Sequence, residues 1–194
     1  MKTSSLPCPR GFSMVELMVV VGIMVVLSGF LIAALPGIRT KIKRNQVEAF
    51  IAELERGLSS YQIDHGSYPL NEPSGGGDGM DQDGIEGAKV LYKHLSGDYD
   101  TDGKVDFEKN EKVYVPKLDY SSNRDVDDAR STNLGGDYMV VDPFGDPVRY
   151  VAQPPNIPPK DRKTRNPTYD LWSIAGNDPD VEGAEAGFIG NWKQ

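Results

Sequence analysis

Four aspartates between residues 98 and 106 have a spacing that suits a bound cation. The segment DYDTDGKVD carries them at its first, third, fifth and ninth positions. In a tight loop these positions converge, the seventh residue supplies a backbone carbonyl, and glycine at the sixth permits a sharp turn. Carboxylate and carbonyl oxygens are the ligands that Ca²⁺ prefers. The spacing therefore predicts a calcium loop with ligands from Asp98, Asp100, Asp102, the carbonyl of Lys104, and Asp106.

The predicted loop departs from the calcium pattern at its twelfth position. A bidentate glutamate is expected there, but the residue is Lys109, and the nearest acids are Glu108 and Glu111. The last ligand is then Glu108 or Glu111, and we expect a Kd of about 10⁻⁴ to 10⁻³ M, as in extracellular modules. The alternative is a solvated acidic turn that binds no metal.

A second chemical feature is the junction GFSMVE, at residues 11–16. A run of 24 apolar residues, Phe12 to Leu35, follows Gly11 and contains one charge, Glu16. As a helix it would span about 36 Å, enough for a bilayer core of about 30 Å. A carboxylate inside a membrane is costly and usually has a partner. Glu16 therefore either pairs with a positive group or reaches the interface near the helix N-terminus.

The junction does not fit a cleaved secretory signal. Such a signal has an apolar region of about 7 to 15 residues with small residues at the cut, and here the run is longer. The basic residues Lys2 and Arg10 precede the Gly11–Phe12 step. Cleavage at that step would leave the apolar segment on the mature protein.

The N-terminal sequence GFSMVELMVVVGIMVVL resembles that of type IV pilins and type II secretion pseudopilins. The resemblance implies that residues 1–11 are a leader removed by prepilin peptidase after Gly11. It implies N-methylation of Phe12, and pairing of Glu16 with the free amine of a neighbouring subunit during filament assembly. Residues 12–37 are then the transmembrane and assembly helix, and residues 38–194 form a periplasmic pilin-like domain.

Other segments are similar to the major pseudopilin, general secretion pathway protein G. The only cysteine, Cys8, lies in the leader, and major pseudopilins resemble this chain in lacking the C-terminal disulfide of most type IV pilins. The segments DPFGDPVRY at 142–150, YDLWSIAGNDP at 169–179 and IGNW at 189–192 resemble the same family. Residues 70–135 have no match there, which predicts an insertion containing the calcium loop.

The resemblance also implies a calcium site in the C-terminal loop. Where the family usually has an aspartate just before the final Ile-Gly-Asn-Trp, this chain has Phe188, so one expected ligand is missing. The alternative is an acidic loop without metal. The acids available there are Asp178, Asp180, Glu182 and Glu185.

The elements that must position these groups follow from periodicity. After Pro36-Gly37, which marks a kink or the start of the domain, apolar residues recur every three or four positions up to an expected helix stop at Gly66. A second helix is predicted over 87–95, and strands over 113–115, 138–141, 148–152 and 169–174. The predicted class is α+β, with a long N-terminal helix packed on a small antiparallel sheet. The amphipathic stripe consists of Ile38, Ile42, Val47, Phe50, Ile51, Leu54, Leu58 and Tyr61.

Charge excludes some functions. Of the 29 acidic and 21 basic residues, 28 and 15 follow Arg44, which leaves the domain at about −13. Such a surface argues against nucleic-acid binding. No arrangement of nucleophile, base or phosphate loop indicates an enzyme.

The prolines around the basic cluster predict an exposed loop that contacts acidic faces of neighbouring subunits. The cluster is Lys160, Arg162, Lys163 and Arg165.

We therefore expect a structural subunit of a type II secretion pseudopilus. Its partners are other pseudopilins, prepilin peptidase and the inner-membrane assembly platform. It is a single-pass inner-membrane protein whose domain lies in the periplasm, although basic residues after the span outnumber those before it, which by the positive-inside rule favours the reverse orientation. The alternatives are a type IV pilus subunit for adhesion, motility or DNA uptake, and a membrane-anchored calcium-binding module that does not polymerise.

Overall fold

The structure is a computed structural model that describes residues 12–71, 85–109, 111–126, 128–154 and 157–192. Within those ranges, the side chains of 31–36, 85 and 107 are also outside the description. The chain divides into two compact units, residues 1–41 and 42–194. The first helix, α1, runs over Met14–His65 and enters both units.

The first unit contributes the N-terminal part of α1. Its described side chains from Phe12 to Phe30 are exposed. The predicted span, residues 12–37, includes residues 31–36, whose side chains lie outside the described residues. Among the helices as far as they are described, none has both the length and the apolar character needed to cross a membrane.

The second unit is built on the remainder of α1. Val47, Phe50, Leu54 and Leu58 are almost completely buried in the core, as the periodicity predicts. The prediction was wrong for Ile38 and Ile42, which are more than half exposed, so the buried stripe begins at Val47.

The predicted end of α1 is confirmed. Gly66 has φ of +79°, and its N–H donates to the carbonyl of Gln62 at 2.8 Å. A residue with a side chain adopts this conformation only with strain, which explains why glycine follows the last helical turn. The helical backbone itself passes through Pro36 and Gly37.

Among the described residues of the predicted insertion, 70–135, there are two further helices. Helix α2 covers Ile85–Leu95, two residues longer than predicted, and α3 covers Tyr120–Asn123. Three-residue 3₁₀ turns lie at Phe107–Lys109 and Pro116–Leu118. Helix α2 packs closely on the backbone at Tyr150, since a Cβ on Gly87 would lie 1.9 Å from the carbonyl oxygen of that residue.

The strands form two small antiparallel sheets. Strands β1, Ser131–Leu134, and β2, Asp137–Val140, pair with Ser131 opposite Val140. The second sheet has the order β3-β4-β5. Its register places Arg149 opposite Trp172, and Trp172 opposite Gly190. Its strands are β3, Arg149–Ala152, β4, Tyr169–Ser173, and β5, Ile189–Gly190.

The α+β class is confirmed, with two corrections. The strands are divided between two sheets, whereas a single sheet was expected. The strand predicted over 113–115 was wrong, because the N–H groups of Tyr114 and Val115 both donate to the carbonyl of Leu95, at 3.0 and 2.9 Å. That segment closes the C-terminal end of α2 and pairs with no strand. Strands β1 and β5 were not predicted from the sequence.

Candidate functional site

The predicted calcium loop begins three residues after the end of α2 and is organised by Asp98. This side chain is fully buried. Its two carboxylate oxygens accept from the N–H of Asp102 at 3.0 Å, the N–H of Gly103 at 2.8 Å and the hydroxyl of Tyr92 at 2.8 Å. Burial raises the pKa of Asp98, and these three hydrogen bonds oppose the rise. Asp98 thus folds the chain back on itself into a compact loop.

Three of the predicted ligands come together. Each of Asp98, Asp100 and Asp102 offers a carboxylate oxygen, and these three atoms lie within 4.8 Å of one another. In the ranges that the structure describes, no other trio of His, Cys, Asp or Glu meets this distance. The sharp turn uses Gly103, which has φ of +87°. Asp98 is buried, while Asp100 and Asp102 are exposed.

Lys109, at the twelfth loop position, places a cation against these acids. Its Nζ lies 2.7 Å from Oδ2 of Asp100 and 3.4 Å from Oδ2 of Asp106. The ammonium lowers the pKa of Asp100, and the two carboxylates raise the pKa of Lys109. The residue that breaks the sequence pattern therefore supplies positive charge where a metal ligand was expected.

The other predicted ligands have local roles. Asp106 accepts from the N–H of Glu108 at 3.0 Å, and its own N–H donates to the carboxylate of Glu111 at 2.5 Å. Glu111 is buried and Glu108 is exposed. The N–H of Lys104 donates to Asp102 at 2.9 Å. These bonds stabilise successive turns of the loop.

The structure does not bring the four C-terminal acids together as a group of three or more ligands. Asp178 accepts from the N–H of Asp180 at 3.0 Å, and both side chains are exposed, as is that of Glu182. Glu185 instead pairs with Arg165, at 2.8 Å. The calcium site implied there by resemblance stays a prediction.

The DPFGDP segment contains a second buried aspartate whose role the sequence did not reveal. Asp142 accepts from the N–H groups of Phe144, at 2.8 Å, and Asp146, at 3.0 Å, and from the hydroxyl of Ser173 at the end of β4. In the sequence, the turn was indicated by the proline and glycine residues around Asp142. The turn is thereby fixed to the three-stranded sheet, and Lys43 of α1 lies 5.1 Å from the centre of the Phe144 ring.

The N-terminal junction is described only from Phe12 onward, so Gly11 lies outside the described residues. Phe12 is 76% exposed, and Glu16 is exposed in the first turn of α1. The helix begins with the N–H of Leu17 donating to the carbonyl of Ser13 at 3.1 Å. Glu16 is therefore accessible in this single chain.

Comparison with known proteins supports the junction's interpretation. Residues 8–32 match the family model described as the prokaryotic N-terminal methylation motif. Over 63 residues the chain is 38% identical to type II secretion system core protein G of Klebsiella michiganensis and 36% identical to that of Klebsiella pneumoniae. The chain is a relative of type II secretion system core protein G. The resemblance to the major pseudopilin family, recognised from the residues alone, is thus confirmed.

The similarity is confined to part of each protein. It covers 32% of this chain and 44% and 45% of the two Klebsiella relatives. A core protein G of Pectobacterium carotovorum is 36% identical over 63 residues, which is 40% of its length. No solved structure matches.

The two histidines of this pseudopilin relative belong to an aromatic network. His65 stacks on Tyr61 with ring centres 4.1 Å apart, and its Nε2 lies 3.2 Å from the hydroxyl of Tyr114. His94 Nδ1 lies 3.2 Å from the hydroxyl of Tyr61. Asp64 extends the network by pairing with Lys112. These contacts join the end of α1 to the segments around His94 and Tyr114. Sequence patterns did not predict them, because the partners lie far apart in the chain.

Proposed function

We propose that this chain is a structural subunit of a type II secretion pseudopilus. Prepilin peptidase would remove residues 1–11, and the mature chain, anchored in the inner membrane by residues 12–37, would polymerise through its N-terminal helix. The periplasmic domain would then form the outer surface of the filament. The assembly platform and other pseudopilins are its expected partners.

The observation that carries this proposal is the methylation motif at residues 8–32 in a chain related to core protein G. Helix α1 starts two residues after Phe12, which leaves that residue outside the helix and accessible for N-methylation. Glu16 lies in the first turn and is exposed. A carboxylate that enters an apolar filament core is costly unless it is paired, so the amine of a neighbouring Phe12 would set the axial register.

Variants of Gly11 and Glu16 test the proposal in cells. In Gly11→Val we expect an unprocessed chain and no filaments. In Glu16→Gln we expect normal cleavage and methylation but loss of filaments, because the uncharged amide cannot pair with the amine. Mass spectrometry of the mature N-terminus and electron microscopy of sheared cells provide the measurements. Met14→Leu is the matched control and should be processed and assembled normally.

Two alternatives are distinguished by Gly11→Val together with deletion of the whole gene. A type IV pilus subunit would also require Gly11, but deletion of its gene would impair adhesion, motility or DNA uptake and leave protein secretion intact. A calcium-binding module that does not polymerise would keep its function in Gly11→Val. Processing and filaments that survive Gly11→Val would contradict the proposal.

We also propose that the loop at 98–109 binds Ca²⁺ weakly. The specific support is the approach of the Asp98, Asp100 and Asp102 carboxylates, together with the positive φ of Gly103. The donor set fits a hard divalent cation in part, because Lys109 already holds Asp100. A calcium ion would supply charge neutralisation for the loop and would have to displace that ammonium.

Calorimetric titration of the full chain in detergent tests the calcium proposal. We expect saturable heat that the double variant Asp100→Asn, Asp102→Asn abolishes. The matched control is Asp125→Asn, Asp161→Asn, which makes the same charge change at exposed aspartates outside both predicted calcium sites and should leave the heat intact. Lys109→Gln should tighten binding, since it removes the competing cation. Heat that is absent, or unchanged by the first variant, would contradict a site at this loop.

A further inference from the structure

A pocket of about 310 Å³ lies between β4 and the C-terminal segment, away from the calcium loop. Its lining has an unusual composition for a domain with a net charge of about −13. Three basic side chains, Arg149, Lys163 and Arg165, surround it together with Trp172 and Trp192. Arg149 comes from β3, and the other two come from the basic cluster between β3 and β4. All four residues of the basic cluster are exposed, as predicted, and Lys163 and Arg165 also line this pocket.

The two acids of the pocket are already engaged within the chain. Asp170 is buried and accepts from the backbone N–H groups of Arg165, at 2.6 Å, and Asn166, at 2.9 Å. Glu185 pairs with Arg165 at 2.8 Å. Asp170 therefore fixes the basic segment to β4, and the pocket lining contains three basic and two acidic side chains.

The aromatic residues orient one of the cations. The guanidinium of Arg165 lies 4.4 Å from the centre of the Trp192 ring, and the rings of Trp172 and Trp192 lie 5.6 Å apart. A guanidinium stacked on an indole keeps its N–H edges available for carboxylate oxygens. The pocket therefore combines cations suited to carboxylates with two half-buried indole rings.

We propose that this pocket receives an acidic segment of a second copy of the same chain. This inference rests on the proposed filament function. Copies that each carry about −13 repel one another, and a basic pocket that accepts acidic side chains offsets this repulsion at a defined position. Because the pocket and the acidic segment are different surfaces, the contact is heterologous and can repeat from copy to copy along a filament.

Two exposed acidic segments are the candidates for the inserted part. One is the turn after α3, where the side chains of Asp125 and Asp128 are 90% and 62% exposed. The other is the C-terminal loop with Asp178 and Asp180, which are also exposed. The experiment distinguishes them.

Charge reversal tests the pocket in the full chain in cells. Lys163→Glu should reduce the yield of filaments about tenfold or more, because like charges would then face each other. Lys160→Glu makes the same change in the same segment but outside the pocket lining, and should assemble as the wild type does. Thermal unfolding of both variants verifies the fold. Equal filament yields from wild type and a folded Lys163→Glu chain would overturn the inference.

Cross-linking gives a readout that does not require filaments. In a Cys8→Ser background, a chain with Lys163→Cys is co-expressed with one carrying Asp125→Cys or Asp180→Cys. A dimer after treatment of membranes with a short bismaleimide supports the contact and identifies the segment. Wild-type filaments without either cross-link would overturn the pocket contact and leave the pseudopilus proposal standing. Cross-links without wild-type filaments would support the contact and contradict that proposal.

Discussion

The loop at 98–106 and the turn at 142–146 are both built around a buried aspartate. Asp98 accepts two backbone N–H groups and a tyrosine hydroxyl, and Asp142 accepts two backbone N–H groups and a serine hydroxyl. Each loop then turns at a glycine with positive φ, Gly103 at +87° and Gly145 at +95°. The same local device therefore serves both regions.

The two regions differ in what surrounds the aspartate. The turn at 142–146 is closed by strand-like bonds, with the N–H of Val148 donating to the carbonyl of Val140 at 3.0 Å. The loop at 98–106 directs two more carboxylates, those of Asp100 and Asp102, toward the same point, and Lys109 approaches from outside. The first arrangement connects two sheets, and the second concentrates negative charge.

The difference shows why spacing of acids is weak evidence of a metal site by itself. A buried aspartate that accepts backbone N–H groups can be structural, as Asp142 is. What distinguishes the loop at 98–106 is the convergence of other carboxylates beside it.

The largest expected effect is that of Asp142→Ala. The substitution leaves the N–H groups of Phe144 and Asp146 and the buried hydroxyl of Ser173 without their acceptor. Because each buried unsatisfied donor costs about 1 to 3 kcal/mol, we expect a loss of about 4 kcal/mol in the free energy of unfolding. Chemical unfolding of the full chain in detergent measures it. Asp161→Ala, at an exposed site, is the control. A loss of less than about 1 kcal/mol from Asp142→Ala would contradict a structural role for the hydrogen bonds of Asp142.

Alanine substitutions at Gly103 and Gly145 provide a matched pair of variants. Alanine at either position adopts a left-handed backbone conformation, which costs about 1 to 2 kcal/mol. At Gly103 the new Cβ would also lie 2.4 Å from the hydroxyl oxygen of Tyr138, whereas nothing lies within 4 Å at Gly145. We expect Gly103→Ala to lose about 3 kcal/mol and Gly145→Ala about 1. Equal losses in unfolding experiments would show that Tyr138 does not restrict the loop.

Asp98→Ala should cost about 2 kcal/mol, less than Asp142→Ala, because burial of the Asp98 charge already opposes its hydrogen bonds. The substitution leaves the buried Tyr92 hydroxyl without its acceptor. Adding Tyr92→Phe should therefore recover part of the loss, which a double-mutant cycle of unfolding free energies measures. Strictly additive losses would contradict a role for this hydrogen bond.

The smallest effect concerns Asp64, an exposed contrast to the two buried aspartates. Hydrogen bonds from Lys112 and Tyr114 lower the pKa of Asp64 below its ordinary 3.8. On acidification Asp64 therefore binds a proton in the unfolded chain before it does so in the folded chain. Its contribution to the free energy of unfolding is complete above pH 3.8 and is lost as the pH falls through the lower pKa of the folded state. Melting temperatures between about pH 6 and pH 2 should fall less steeply in Asp64→Asn than in the wild type. Parallel curves would contradict this.

Local patterns in the sequence were sufficient for several elements. The three- to four-residue periodicity from Val47 to Tyr61, the stop at Gly66, helix α2 and strands β2 to β4 each depend on residues close in the chain. The junction at Phe12 and Glu16 was recognisable for the same reason. Residues 113–115 were wrongly predicted to be a strand. The acceptor of the backbone hydrogen bonds from Tyr114 and Val115 is the carbonyl of Leu95, which lies some 20 residues earlier in the chain.

The sequence by itself determined the long helix, the methylation motif at its start, the class of the domain and the spacing of the acids. Only the tertiary structure decided which charges meet. It buried Asp98, placed Lys109 against Asp100, turned Glu185 to Arg165, and brought Arg149 from β3 to a pocket with Lys163. The physical reason is that helices and turns depend on neighbours in the chain, whereas burial and charge pairing depend on packing between distant segments.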